Sequence, residues 1–279
     1  MNVLCVGEAL WDLTAKRSFA RARSLEMRPG GAAVNVALAL AHEGVRVGLA
    51  AVVGEDALGE ALIAQVTATG VATALVERVL PRTGLLFAER RREGARFVGY
   101  RAADEPAPRA AGDWSARVVL VTGLMPSVEH ARGLREVVQT ARARGARVMV
   151  DVNARPRVWR GRDPAAALAV LALADVVKAS EDDLGVLGIA GAEALAGCVR
   201  AGATVITTAG AGVARAMGSF GEVTRAPRAL KKKPRDTLGA GDAFAAAVVA
   251  ELTGGEAEGI WERALDRGHA WARARLRGR

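Results

Sequence analysis

Short apolar runs rich in β-branched residues alternate with longer alanine-rich segments along most of the chain. Such runs predict buried strands, and the alanine-rich segments between them predict helices. Strands that alternate with helices indicate right-handed crossovers and a mainly parallel sheet with helices on both faces. The predicted strands span 2–6, 46–53, 117–122, 146–152, 175–178 and 203–208, and the predicted helices include 32–43, 127–144 and 164–174.

One region departs from this alternation. Two strand-like segments, 83–90 and 95–101, flank the polar sequence Arg91-Arg92-Glu93-Gly94, which is typical of a hairpin turn. A hairpin added to an α/β sheet commonly serves as a lid or as an oligomer contact. No internal repeat or linker is visible, so we expect one domain over 1–279, with lid segments at roughly 10–18 and 82–101.

Composition limits the classes of function. Hydrophobic residues make up 51% and charged residues 25% of the 279, which is typical of a globular protein. No apolar run is long enough to span a membrane and no secretory signal is visible, so we expect a cytoplasmic protein without a membrane partner.

The net charge of +9 raises the question of a nucleic-acid partner. However, the basic residues are scattered, and the one dense run, Lys231-Lys232-Lys233, has no neighbouring aromatic residues that could stack on bases. We therefore expect small anionic ligands and no specific nucleic acid. The lysine run itself is either a solvated loop or an electrostatic aid to binding a nucleotide.

The strongest chemical signal is the glycine-rich sequence Asp236-Thr237-Leu238-Gly239-Ala240-Gly241-Asp242, which precedes an alanine-rich helix. Glycines let a ligand approach the backbone closely, and a helix start presents free N–H groups and the positive end of the helix dipole. The sequence therefore predicts a site for a phosphate or another oxyanion.

Asp242 stands at the mouth of this predicted anion site. A carboxylate there could accept a proton from a hydroxyl that attacks a bound phosphoryl group. The alternative is that Asp242 only favours the helix start, as aspartate often does. Other site motifs are missing: there is no P-loop, Gly210-Ala211-Gly212 lacks the third glycine of a dinucleotide fingerprint, and no metal or nucleophile cluster can be assembled from His42, His130 and His269.

Two long motifs resemble those of one family. The heptad 236–242 resembles the C-terminal signature of the ribokinase-like (phosphofructokinase-B type) carbohydrate kinases. The segments 29–37 and 53–59 are similar to their N-terminal signature, roughly 200 residues earlier. The resemblance implies a three-layer α/β/α sandwich with a mainly parallel central sheet and a small β lid.

Two further segments resemble the fructokinase and 2-keto-3-deoxygluconate kinase branch. Gly7-Glu8-Ala9-Leu10-Trp11-Asp12 resembles its opening strand, and Asp151-Val152-Asn153-Ala154-Arg155-Pro156-Arg157-Val158-Trp159 resembles its D-x-N-x-R-P-x-x-W segment. This resemblance implies that the substrate is bound by Asp12, Gly30, Gly31, Asn35, Arg101 and Arg155.

The resemblance also implies Mg-ATP as the phosphoryl donor, with a monovalent cation near Asp236. The segment 178–184 is similar to the one that shapes the magnesium–phosphate environment, where Asp183 would act through water and not as a direct ligand. Ser180 replaces the usual asparagine, and Ala209 stands where the family's nucleotide-binding strand has its first glycine. The implied nucleotide-binding residues are Asn153, Ser180, Asp183, Thr207, Gly210, Gly212 and Thr237.

These resemblances imply an ATP-dependent kinase acting on a hydroxyl of a sugar or sugar acid, with Asp242 as the base. The N–H groups of Gly239, Ala240 and Gly241 would stabilise the transferring group. A homodimer formed through the lid strands is also expected. Two alternatives stay open: a nucleoside kinase of the same fold, and a non-catalytic sugar-binding or regulatory relative.

Overall fold

The computed structural model describes residues 1–91, 94–100, 106–210, 212–230, 239–255 and 257–277. The strands are β1 (Val3–Gly7), β2 (Leu10–Ala15), β3 (Glu26–Gly30), β4 (Val47–Gly54), β5 (Ala72–Val79), β6 (Gly84–Arg91), β7 (Gly94–Tyr100), β8 (Val118–Thr122), β9 (Arg147–Asp151), β10 (Val176–Ser180), β11 (Thr204–Thr208), β12 (Ala214–Gly218) and β13 (Gly221–Arg225). The α-helices are α1 (Ala32–His42), α2 (Ala57–Thr67), α3 (Val128–Ala143), α4 (Pro156–Trp159), α5 (Ala165–Leu171), α6 (Glu181–Leu187), α7 (Ala192–Ala196), α8 (Ala240–Leu252) and α9 (Ile260–Leu276).

The large sheet has the strand order β13-β12-β11-β10-β9-β8-β1-β4-β5 across the described residues. Neighbouring strands pair in parallel along the series β5, β4, β1, β8, β9, β10 and β11. Strands β12 and β13 continue the sheet in antiparallel pairs. The six strands predicted from the sequence are confirmed and lie together here. The sequence prediction missed β5, β12 and β13, whose partly exposed residues lack the continuous apolar character of a central strand.

Helices cover both faces of this sheet, as the strand residues require. In β1, Val3 and Cys5 pack into one hydrophobic core, and Leu4 and Val6 pack into the other, because successive strand residues point to opposite faces. Buried residues of α1, α2, α8 and α9 fill the first core, and those of α3 to α7 fill the second. The expected three-layer arrangement is therefore confirmed.

A second sheet has the order β3-β2-β6-β7 and contains the segments predicted to form the lid. The predicted hairpin is confirmed as the antiparallel pair β6–β7, and β2 pairs in parallel with β6. The sequence prediction missed β3, because Arg28-Pro29-Gly30 is typical of a turn and forms a strand here only by pairing with β2. Thr83, just before β6, is tied to the main body: its Oγ1 lies 2.7 Å from Asp56 Oδ1, to which it donates.

The described helices include none that is long and apolar enough to cross a membrane. The run Lys231–Lys233 lies outside the described residues, so its role stays a prediction.

Candidate active site

The predicted anion site is built at the start of α8. Gly239 precedes the helix with a left-handed φ of 76°, a conformation that favours glycine, and as the N-cap residue it supplies no capping side chain. Gly241 is exposed, whereas Asp242 in the same turn is only 5% exposed. The backbone N–H groups of the first turn and one buried carboxylate thus share the same helix end, as the sequence predicted.

Two amide side chains hold Asp242. Asn35 of α1 donates from Nδ2 to Asp242 Oδ2 at 2.8 Å, and Asn153, just after β9, donates from Nδ2 to Oδ1 at 2.8 Å. Asn153 adopts a positive φ of 42°, which is uncommon for a residue other than glycine and places its side chain here. Sequence reasoning assigned these residues to the sugar and to the nucleotide, and it missed their shared contact with Asp242.

Asp12, Gly30 and Gly31 meet between the lid and the main body. A Cβ atom at Gly30 would lie 2.3 Å from Asp12 Oδ2, so only glycine leaves room for that carboxylate. Gly31 has a φ of +94°, and a Cβ there would lie 2.5 Å from the carbonyl oxygen of Glu8. The two glycines are therefore required for the opening strand and the start of α1 to approach each other.

The charge of Asp12 is shaped by its neighbours. Burial, together with the nearby carboxylates of Asp242 and Glu8, raises the pKa of Asp12 to about 6. Arg155 and Arg275 act in the opposite direction, which places two guanidinium groups within electrostatic reach of the same carboxylate. Asp12 is thus a half-buried acid in a cluster of opposite charges, which is common at functional sites.

Polar side chains also form the floor of the site. Thr122, Asp151 and Lys178 occupy neighbouring positions in register on β8, β9 and β10. Lys178 Nζ donates to Asp151 Oδ1 at 2.8 Å, and both side chains are buried. The other Asp151 oxygen and Thr122 Oγ1 have no hydrogen-bond partner among the described residues.

The pKa values of Asp151 and Lys178 are shifted by burial and by neighbouring charges. Burial raises the pKa of Asp151 to about 6, although the charge of Lys178 opposes the increase. Burial would lower the pKa of Lys178, but the carboxylates of Asp151, Asp183 and Asp242 outweigh it, so the pKa is raised. Lys178 is therefore a buried cation among three carboxylates, one of which is Asp242.

Ser180 and Asp183 form a capping box at the start of α6. Ser180 Oγ accepts from the Asp183 N–H at 3.2 Å, and Asp183 Oδ2 accepts from the Ser180 N–H at 2.8 Å and from Ser180 Oγ at 2.7 Å. Asp183 Oδ1 accepts from the Ala154 N–H at 2.7 Å. Because both oxygens are engaged, Asp183 links α6 to the segment that carries Asn153.

The remaining predicted residues lie around this centre. Arg155 is exposed at the start of α4, Thr207 lies in β11, and Gly210 has a φ of +53° in the turn that follows. The Gly212 N–H donates to the carbonyl oxygen of Ala209 at 2.6 Å, so alanine at position 209 is compatible with a tight turn. The predicted roles of Arg101, Asp236 and Thr237 fall on residues outside those described.

Sequence reasoning gave no role to three charged residues near the site, Glu8, Lys178 and Arg275. A single lysine within the apolar strand Val176–Ser180 is a signal that could have identified Lys178. Glu8 directly follows β1, where an acid that is only 6% exposed is equally unusual. Arg275 carries no such signal, since it is one of several arginines on α9.

The fold and the site together define a ribokinase-like phosphotransferase. The model of the "pfkB family carbohydrate kinase" matches residues 1–278, and the chain belongs to this family of carbohydrate kinases.

Individual relatives agree with this assignment. A fructokinase from Vibrio alginolyticus is 30% identical over 271 residues, covering 90% of this chain and 84% of the relative. A 5-dehydro-2-deoxygluconokinase from Bacillus subtilis is 27% identical over 276 residues, covering 91% and 84%. Among solved structures, a Xylella fastidiosa fructokinase with bound ATP superimposes with a TM-score of 0.82 at 25% identity, covering 97% of this chain and 90% of that one.

Proposed function

We propose that this protein transfers the γ-phosphoryl group of ATP to a hydroxyl group of a sugar or sugar acid. The observation that carries the proposal is the buried carboxylate of Asp242 at the start of α8, held by Asn35 and Asn153. The family and a structural relative with bound ATP support the choice of donor. The relatives named fructokinase and 5-dehydro-2-deoxygluconokinase support the choice of acceptor class.

In the proposed reaction, the acceptor hydroxyl oxygen attacks the γ-phosphorus while its proton passes to Asp242. The bond between the γ-phosphorus and the bridging oxygen breaks, and ADP leaves. Each Asp242 oxygen accepts one amide hydrogen bond and keeps a second lone pair for the proton. The N–H groups of Ala240 and Gly241, together with the Gly239 turn, stabilise the charge on the transferring group.

Magnesium is part of this proposal. Because Asp183 Oδ2 is fully engaged and Oδ1 keeps one acceptor position, Asp183 fits an outer role through water and not direct ligation. Mg²⁺ is commonly bound by phosphates, waters and few carboxylates, and the described residues contain no cluster of three ligating side chains. When bound, the ion would neutralise phosphate charge.

The sugar would lie between the lid and α1. Asp12 and the backbone at Gly30 and Gly31 line this gap, with Arg155 within electrostatic reach of Asp12. An ionised carboxylate can accept hydrogen bonds from two sugar hydroxyls. A neighbouring guanidinium would also suit the carboxylate of a sugar acid.

A coupled assay of ADP release tests the proposal directly. The purified protein is supplied with Mg-ATP and a panel of fructose, other ketoses, 2-keto-3-deoxygluconate, 5-dehydro-2-deoxygluconate and nucleosides. We expect at least one sugar or sugar acid to increase ADP release more than tenfold over the acceptor-free rate. Stimulation by nucleosides alone would indicate a nucleoside kinase, and ATP binding without any stimulation would indicate a non-catalytic relative.

We expect Asp12→Ala and Asn35→Ala to affect different kinetic constants. Loss of a hydrogen bond to a charged group costs about 1.5–3 kcal/mol, so Asp12→Ala should lower kcat/KM for the sugar about tenfold or more. Asn35→Ala should mainly lower kcat, because it removes one of the two amides that hold Asp242. Steady-state kinetics with each substrate varied in turn separates the two effects, and KM for ATP should change little.

Thr14→Ala is the matched control for Asp12→Ala, since Thr14 lies two positions further along the same lid strand. A pH profile adds a second readout: with a pKa of about 6, Asp12 becomes protonated and loses acceptor capacity as the pH falls. The wild-type kcat/KM for the sugar should therefore fall about tenfold between pH 8 and pH 5. If Asp12→Ala leaves kcat/KM within twofold of the wild type, Asp12 does not bind the sugar.

We also propose that the lid contributes to a homodimer. An apolar cavity of about 460 Å³ in the lid is lined by Phe19, Leu85, Phe87 and Val98. Apolar surface of this kind is common at contacts between protein chains. Light scattering should give twice the monomer mass, and Phe87→Glu should shift the protein to the monomer; a monomeric wild type at micromolar concentration would contradict this contact.

A further inference from the structure

The last turn of α9 places a guanidinium group beside the start of α8. Arg275 Nε lies 3.2 Å from the position that a Cβ at Gly239 would occupy, and its Nη2 lies 3.7 Å from it. Arg275 is half-buried and makes no ion pair or hydrogen bond to the described residues. A cation that has no tight partner among the described residues therefore borders the predicted anion site.

The packing of α9 against α8 fixes this position. A Cβ at Gly268 would lie 2.6–2.9 Å from ring atoms of Phe244, so the two helices approach closely at this glycine. Arg275 follows Gly268 by seven residues, or about two helical turns, and so lies on the same face of α9. Nearer the start of α9, Arg263 Nε lies 3.6 Å from Oε2 of Glu251, which is close to the end of α8. The two helices are therefore antiparallel, and their register brings Arg275 to Gly239.

The electrostatics at this point call for an anion. The start of a helix carries about half a positive elementary charge, so a nearby cation is repelled unless an anion lies between them. Asp242 supplies one negative charge in this turn, but its oxygens contact Asn35 and Asn153 and do not form an ion pair with Arg275. Asp12 is within electrostatic reach of Arg275, which lowers its pKa, but the two residues do not form an ion pair.

We propose that Arg275 binds the transferring phosphoryl group from the side opposite the first-turn N–H groups of α8. This inference rests on the proposed function and adds a catalytic residue to it. Arg275 lies next to Gly239, on the phosphate side, and within reach of Asp12, on the acceptor side. In this proposal, Arg275 therefore lies where the phosphoryl group moves from ATP to the acceptor hydroxyl.

A guanidinium suits this position chemically. In phosphoryl transfer the charge is spread over three equatorial oxygens, and planar paired N–H donors can bind two of them at once. The α8 amides and Arg275 would then hold the group from two sides while Asp242 accepts the proton. A lysine provides charge but not the paired geometry.

The test compares Arg275→Gln with Arg277→Gln. Arg277 is exposed at the end of α9, so its substitution removes the same charge from the same helix end. With Mg-ATP and the sugar saturating, we expect kcat to fall at least tenfold in Arg275→Gln and to stay within twofold of the wild type in Arg277→Gln. Arg275→Lys should give an intermediate kcat.

A binding measurement separates a catalytic role from a structural one. ADP with aluminium fluoride and the sugar serves as a mimic of the transferring group, and ADP alone serves as the reference. Arg275→Gln should weaken binding of the mimic at least tenfold and leave the affinity for ADP within threefold. If Arg275→Gln lowers the melting temperature markedly, Arg275→Lys is used for both measurements.

Several results would overturn the inference. They are a kcat within twofold of the wild type in Arg275→Gln, an equal loss in Arg277→Gln, or equal weakening of ADP and of the mimic. Failure of the proposed function gives a different result, because the wild type would then show no acceptor-dependent ADP release. An active wild type, an inactive Asp242→Asn and an active Arg275→Gln would reject the role of Arg275 alone.

Discussion

Asp242→Asn should lower kcat at least 100-fold while the protein stays folded and still binds the sugar. Asparagine has nearly the same size as aspartate but cannot accept the hydroxyl proton, and general base catalysis typically contributes about 10²–10⁴-fold. Asn35 and Asn153 both donate to the native carboxylate, so one of them loses its acceptor in the variant. Initial rates of ADP release at saturating substrates measure the effect.

Asp113→Asn is the matched control, since it changes the same chemical group at an exposed position away from the site. Isothermal titration with the sugar shows whether binding persists in Asp242→Asn. A variant that retained more than about a third of the wild-type turnover would exclude Asp242 as the base.

Lys178→Met should lower the free energy of unfolding by about 3–5 kcal/mol, because it leaves the buried Asp151 carboxylate without its cation. Both residues of the pair are buried: Lys178 is 4% exposed and Asp151 is 0% exposed. Urea unfolding of both proteins at pH 8 measures the change.

The loss of stability in Lys178→Met should depend on pH, and the sign of this dependence can be predicted. Asp151 already has its pKa raised to about 6 by burial, and removing Lys178 raises it further. Its folded form then holds a proton that the unfolded chain releases above about pH 4, so the stability falls as the pH rises. Lys178→Met should therefore cost less at pH 5 than at pH 8.

The double variant Asp151→Asn/Lys178→Met is the control for this prediction. It removes both charges, so it should be more stable at pH 8 than Lys178→Met alone. A double variant as unstable as the single one would mean that packing of the lysine chain, and not its charge, stabilises the floor of the site.

The amino-acid sequence was sufficient for the features that depend on neighbouring residues. The central strands were predictable from continuous apolar runs, because strands buried on both faces need no polar positions. The glycine turn and the helix start around Asp242 were predictable for the same reason, since their backbone conformation depends on a few adjacent residues. The family motifs then connected this turn to phosphoryl transfer.

Other features were decided by contacts between distant segments. Asn35 and Asn153 reach Asp242 across separations of 207 and 89 residues, which no local pattern reports. β3 exists because β2 offers it a partner, and the Lys178–Asp151 pair depends on the register of two neighbouring strands. Arg275 comes to Gly239 because a glycine at position 268 lets α9 pack closely on α8. Local periodicity determines which segments form strands and helices, but side chains that act together come from separate segments, so only the packing of those segments determines the site.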